Sequence, residues 1–226
     1  MIVTGLLGGS FNPAHRGHLH VSREVMRRLA LDEIWWLVSP GNPLKPAKGM
    51  APLAARLASA ERAARGGGIR VTAIEAELGT RYTVDTLREL IALYPNRRFV
   101  WIMGADNLAQ FHRWRDWRRI AHLVPIAVAT RPGYYGRALR APALGWLRRF
   151  VRPAARIRNR TRWRLPSLVL LRLPPDPTSA TAIRAANPDW HEPVIKTFNP
   201  EAIRDGVTRK LLSGRRPFAR HQKSSD

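Results

Sequence analysis

Residues 2–18 read Ile2-Val3-Thr4-Gly5-Leu6-Leu7-Gly8-Gly9-Ser10-Phe11-Asn12-Pro13-Ala14-His15-Arg16-Gly17-His18. The apolar run 2–7, closed by Gly8-Gly9, has the pattern of a buried strand. Residues 15–30 then place Leu19, Val21, Val25, Met26 and Leu29 on one side of a helix. A buried strand passing through a glycine turn into an amphipathic helix is the opening unit of an α/β sheet. The turn also carries chemistry. Two glycines let the backbone approach a phosphate closely. The helix start adds unpaired N–H groups and the positive end of the dipole. His15 and His18 are three apart and share a face of the first turn, where imidazoles can donate hydrogen bonds to phosphoryl oxygens. GxGxxG is absent, so the dinucleotide fingerprint fails. A metal cluster of His15, His18 and His20 would need a further ligand, and no HExxH, cysteine or nearby carboxylate supplies one. A purely structural turn is the remaining alternative.

Outward from this unit, strands and helices alternate. Ile34–Val38 is a second strand, ending at the loop Ser39-Pro40-Gly41-Asn42-Pro43. Residues 51–65 are helical and stop at Gly66-Gly67-Gly68. Strands are predicted at 69–74, 98–103, 124–130 and 167–171, and helices at 83–94, 116–122, about 179–186 and about 200–212. Apolar strands joined by helices imply parallel pairing with helices on both faces, a doubly wound α/β sheet. Ligands of such sheets lie outside the carboxyl ends of the strands. Gly8–His18, Ser39–Lys48, Gly104–Asp106 and Arg131–Gly133 should therefore surround one crevice.

The 226 residues fit one domain over 1–212, with a polar, frayed tail over 213–226. The chain has no cysteine, which excludes a disulfide scaffold, a zinc ribbon, an iron–sulfur site and a thiol nucleophile. The N-terminus lacks the pattern of a signal peptide and no apolar run is long enough to span a bilayer, so a soluble cytoplasmic protein without membrane contact is expected. Lys and Arg number 39 against 16 Asp and Glu, a net charge of +23. Such a balance fits either an arginine-rich genome or a polyanionic partner. The charge is uneven, with no acidic residue from Trp117 to Pro175. The stretch 137–165 reads as an Arg-rich insertion, its part 152–165 as lacking regular structure, and residues 152–164 as removable without loss of activity. Its charges are candidates for nonspecific polyanion binding.

The turn Gly8–His18 resembles the signature of the HxGH nucleotidyltransferase superfamily, with Asn12 where Asp is commoner. Thr178-Ser179-Ala180-Thr181-Ala182-Ile183-Arg184 resembles its ISxTxIR element, which binds ATP phosphates. A Ser/Thr cluster opening a helix is itself an anion site, and Arg184 adds a bidentate donor. Three segments between them resemble the nicotinate-nucleotide adenylyltransferase branch: Asn42-Pro43-Leu44-Lys45-Pro46, Arg81-Tyr82-Thr83-Val84-Asp85-Thr86-Leu87, and Gly104-Ala105-Asp106-Asn107-Leu108 with Phe111 and Trp114.

The resemblance implies adenylyl transfer from ATP to nicotinate mononucleotide, giving deamido-NAD and pyrophosphate, with Mg²⁺ carried by the triphosphate. It implies His15, His18, Lys45 and Arg184 as catalytic residues. Gly8, Gly9, Ser10, Phe11, His18, Gly104, Asp106, Arg131, Ser179, Thr181 and Arg184 would bind ATP. Asn12, Lys45, Tyr82, Thr83, Asp106 and Trp114 would bind the mononucleotide, Trp114 by stacking on the pyridine. Nicotinamide-mononucleotide and phosphopantetheine adenylylation are the rivals within the class, and a basic nucleic-acid-binding protein is the rival outside it. The sequence leaves the oligomeric state open.

Overall fold

A computed structural model describes residues 1–41, 49–130, 136, 140–159, 163–174, 176–197 and 204–210. Six parallel strands form one sheet in the order β3-β2-β1-β4-β5-β6. They are β1 (Ile2–Gly9), β2 (Glu33–Val38), β3 (Ile69–Thr72), β4 (Arg97–Gly104), β5 (Ile126–Thr130) and β6 (Leu168–Arg172). The sequence-predicted doubly wound sheet is thus observed. The strand order reverses between β1 and β4, so their carboxyl ends, Gly9 and Gly104, flank the switch point.

Alternation along each strand sorts the core into two layers. Leu6, Trp35, Leu37, Phe99, Trp101 and Met103 pack on one face. The helices there are α4 (Thr83–Leu93), α5 (Ala105–Gln110), α6 (Trp117–Leu123) and α7 (Pro142–Leu147). Leu7, Ile34, Trp36, Val100 and Ile102 lie on the other face, beneath α1 (Arg16–Leu29) and α2 (Leu53–Ala63). Full burial of each such aliphatic side chain contributes about 1.5–3 kcal/mol. Trp36 is wholly buried because its Nε1–H reaches Ser22 Oγ on α1 at 2.8 Å. Among the described residues no helix is long and apolar enough to cross a membrane.

The structure departs from the sequence expectation in four places. The apolar run 69–74 is not one strand: β3 ends at Thr72 and a short α3 (Ile74–Glu77) follows. The carboxylate of distant Asp205 accepts from the Ala73 N–H at 2.7 Å and the Thr72 hydroxyl at 2.8 Å, which ends the ladder. Next, the described part of the helix expected at 200–212 is a turn. Asp205 also accepts from the N–H groups of Val207 and Thr208, both at 2.9 Å. Gly206 donates to the Val71 carbonyl at 2.8 Å, and a Cβ there would lie 2.6 Å from that oxygen, so the approach requires glycine.

The third departure is a set of helices that the sequence reading did not contain: α5, α7 and α10 (His191–Thr197). The fourth concerns the Arg-rich stretch. Val151 pairs with Leu168 beside β6, and Arg152 N–H donates to the Leu168 carbonyl at 2.8 Å. Ala154–Arg158 forms α8, whose Ile157 is buried in the layer beneath α1. Arg158 Nε donates to the Arg28 carbonyl at 2.7 Å, at the C-terminal end of α1. A cation there satisfies an orphan carbonyl and complements the dipole. Charge repulsion suggested irregularity; one apolar side chain and carbonyl-seeking guanidinium groups give it order.

Candidate active site

The cleft at the switch point has a volume of about 590 Å³. The β1 turn supplies Gly8, Gly9 and Ser10, and His18 stands over it from α1. Gly104 and Asp106 come from the end of β4, Tyr82 and Thr83 from the start of α4, and Ser179 and Thr181 from the second motif. Trp114 also lines it, its ring 6.1 Å from that of Trp101. Residues about 170 apart in sequence thus meet in one cavity, as the sequence reading anticipated for these eleven.

The glycines are needed for a reason the sequence did not disclose. A Cβ on Gly8 would lie 2.7 Å from the Trp101 ring, and one on Gly9 3.3 Å from the Phe11 ring. Aromatic packing beneath the turn excludes a side chain at Gly8 and crowds one at Gly9. Phe11 is itself buried and sits at φ 46°, in the left-handed region that costs a non-glycine residue about 1–3 kcal/mol. Its ring stacks on Trp36 at 5.1 Å and lies 4.7 Å from His18, and this burial holds the turn in place. Its side chain belongs to the support of the cleft rather than its lining.

The two histidines lock each other. His15 is the N-cap of α1: its Nδ1 accepts from Gly17 N–H at 3.1 Å. His18 Nδ1 reaches back and accepts from His15 N–H at 3.2 Å. This is a capping box built from imidazoles. A neutral ring that accepts at Nδ1 carries its proton on Nε2. The cap therefore fixes each tautomer as an Nε2 donor. The rings lie 4.0 Å apart; His18 lines the cleft, whereas His15 is buried behind it.

Asn12 does not line the cleft. Its Oδ1 accepts from Ala51 N–H at 3.2 Å and its Nδ2 donates to the Gly49 carbonyl at 2.9 Å. That pairing uses both halves of an amide, which an aspartate could not do. Arg184 bridges the two motifs, donating to the Asn12 carbonyl at 2.5 Å and approaching Thr181 Oγ1 at 3.4 Å. Ser179 caps α9 (Ala180–Ala186) by accepting from Ala182 N–H at 3.1 Å. Lys45 and Arg131 lie outside the described residues.

Four charged residues at the site escaped the sequence reading. Arg81, Arg113 and Arg115 line the end near Trp114. Arg115 lies 4.8 Å over the Tyr82 ring and 3.9 Å from Asp85. Arg81 stood inside a quoted segment, yet nothing in its spacing set it apart from the chain's many other arginines. The fourth is Glu75, on α3, which also lines the cleft and accepts from Thr86 Oγ1 at 3.4 Å. Burial pushes the Glu75 carboxyl up to about 7, against hydrogen bonds from Ser39 and Thr86 that favour its charged form. An acid whose folded pKa exceeds its unfolded value stabilises the fold at low pH and loses that contribution as pH rises through the folded pKa. Stability should therefore fall between pH 5 and pH 8 by on the order of 3 kcal/mol from this residue. Glu75→Gln should remove that slope in urea melts compared across pH; an unchanged slope would show that the carboxyl is ionised throughout.

A glycine turn, a paired-imidazole cap and a second hydroxyl-capped helix at the β1–β4 switch point suit the phosphates of a nucleotide. The cytidylyltransferase-like family model matches residues 6–186. A relative from Erythrobacter litoralis, carrying the name "probable nicotinate-nucleotide adenylyltransferase", is 58% identical over 95% of this chain and 96% of its own. A relative of the same name from Parvibaculum lavamentivorans is 54% identical over 80% of this chain and 90% of its own. The chain belongs to the cytidylyltransferase-like family and, within it, to the nicotinate-nucleotide adenylyltransferases. The solved nicotinic acid mononucleotide adenylyltransferase of Plasmodium falciparum, complexed with NaAD, has the same fold. It matches with a TM-score of 0.61 at 16% identity, over 82% of this chain and 83% of that one.

Proposed function

We propose that the chain transfers the adenylyl group of ATP to nicotinate mononucleotide, releasing pyrophosphate and forming deamido-NAD. The observation that carries this reading is the single cavity lined by Gly8, Gly9 and His18 together with Trp114, Tyr82 and Thr83. The glycine turn and the imidazole suit phosphates, and the aromatic side chains with the helix start suit a flat, charged ring.

A phosphate oxygen of the mononucleotide attacks the α-phosphorus of ATP. The bond from that phosphorus to the bridging oxygen breaks, and pyrophosphate leaves with the electron pair. The nucleophile is already ionised near neutral pH, so no general base is needed. The work left is alignment and neutralisation of charge on the α-phosphate and leaving group. His18 donates through Nε2 to the α-phosphate. His15 holds that ring in register through the capping box. Ser10, Ser179 and Thr181 offer donors to the triphosphate, which enters as its magnesium complex. Arg184 adds positive charge beside the second motif, a role the family resemblance also gives to Lys45 and Arg131.

Asp106 accepts from a ribose hydroxyl. The pyridine stacks on Trp114, which stands nearly perpendicular to Trp101 and Phe111. Its carboxylate meets main-chain N–H groups at the start of α4, where no side chain provides a cap. Arg81, Arg113 and Arg115 make this end electropositive, which favours nicotinate over the neutral amide.

Trp114→Ala tests the ring assignment. Loss of stacking, worth about 0.5–1.5 kcal/mol, should raise KM for the mononucleotide about 2- to 10-fold and leave KM for ATP unchanged. Equal effects on both substrates would place the indole in the structural core alone.

A further inference from the structure

Arg56 is a cation in an unusual setting. It lies on α2, is 1% exposed, and pairs with no carboxylate among the described residues. Its partners are four main-chain carbonyls. Nε donates to Ala51 at 2.9 Å; Nη1 donates to Ser10 at 2.8 Å and to Ser39 at 2.7 Å; Nη2 reaches Pro40 at 3.4 Å. These carbonyls belong to three separate segments: the turn after β1, the turn after β2, and the approach to α2. Burial draws its pKa down to about 10, so the group stays charged at neutral pH.

A buried charge without a counter-ion is costly to desolvate, and four main-chain acceptors from three segments offset that cost here. The position of those acceptors gives the arginine a role beyond holding the fold. Ser10 and Ser39 line the cleft, while the guanidinium sits behind them. Bonding to Arg56 turns their carbonyl oxygens toward the interior and away from an anionic ligand. The positive charge remains just beneath the phosphate end. Asn12 clamps the same approach to α2 through Gly49 and Ala51. Only a planar fork with five donors serves several acceptors at fixed angles; an ammonium on a flexible stem cannot.

We infer that Arg56 is a positioning residue for adenylyl transfer, a buried cation that sets the two glycine- and serine-bearing loops for the polyphosphate and supplies positive charge beneath it. This rests on the function proposed above. Displacing such loops by about 1 Å can cost 10²-fold in rate.

The test compares wild type, Arg56→Ala and Arg56→Lys, each at a temperature below its own melting point. Amide exchange over 8–12, 39–41 and 49–51 and steady-state kinetics with ATP and nicotinate mononucleotide are measured. Both variants should exchange faster in these loops, and kcat/KM should fall about 10²-fold. Added guanidinium ion should restore part of the Arg56→Ala activity, whereas tetramethylammonium should not. A purely structural arginine would lower the melting point and leave folded-state kcat and KM unchanged. A folded Arg56→Lys with wild-type loop exchange and wild-type kcat/KM would overturn the inference, and this variant decides the matter if Arg56→Ala does not fold. If wild type itself transfers no adenylyl group, the functional reading fails, and the exchange comparison still decides whether Arg56 orders the loops.

Discussion

His18→Ala is expected to lower kcat about 10²–10³-fold while both KM values stay within a few-fold of wild type. The ring lines the cleft directly above the glycine turn. Its Nδ1 is occupied by the His15 N–H, so the proton resides on Nε2 before substrate arrives. A donor fixed in this way costs no reorganisation when charge builds on the α-phosphate. That is why its loss should appear in kcat rather than in substrate affinity. Removing the ring also breaks half of the capping box, at about 1 kcal/mol, so the melting point should drop slightly. His15→Ala should divide differently. Its buried ring caps α1 and packs at a tilt against His18, so stability and kcat should fall together. Near-wild-type kcat in His18→Ala would remove this residue from the phosphate site.

Deleting residues 152–164 should cripple folding, the reverse of what the charge pattern predicts. The segment carries Ile157, which is 2% exposed beneath α1. It also carries the Arg152 amide on Leu168, the Arg158 side chain on the Arg28 carbonyl, and Trp163, whose Nε1–H donates to the Ile157 carbonyl at 2.9 Å. Ile157→Ala alone should cost about 2–5 kcal/mol. For a chain of this size that is a fall of roughly 5–20 °C in melting temperature. The deletion adds the lost hydrogen bonds and uncovers the side of β6. With total stability of about 5–15 kcal/mol, little folded protein should remain. A deletion variant that melts at the wild-type temperature would return the segment to the surface.

The contrast between these two regions shows what the sequence could disclose. The glycine turn with its histidine pair, the second Ser/Thr motif and the Trp114 segment were legible because each couples a local shape to a residue type with one evident chemistry. Strand alternation brought the glycine turn and the end of β4 to one crevice, and the family resemblance added the second motif and Trp114. The order in 151–158 was not legible, since a single isoleucine among arginines leaves no periodicity to read. Asp205 was hidden for another reason. One carboxylate ends β3 and organises a turn more than 130 residues away, and no local pattern announces such a contact. Glu75 and Arg56 escaped likewise, the one following a predicted strand and the other an ordinary charge on a predicted helix, until the fold buried both. Asn12 was read as a ligand, but its amide spans Gly49 and Ala51.

The central claim is the reaction itself, and pyrophosphate release tests it most directly. The purified chain is incubated with Mg·ATP and, separately, nicotinate mononucleotide, nicotinamide mononucleotide and 4′-phosphopantetheine. Stoichiometric pyrophosphate with nicotinate mononucleotide, accompanied by deamido-NAD, much less with the amide and none with phosphopantetheine, is the predicted result. Equal release with the amide would contradict a carboxylate-selecting end at Arg81, Arg113 and Arg115. No release with either pyridine mononucleotide would contradict the account as a whole.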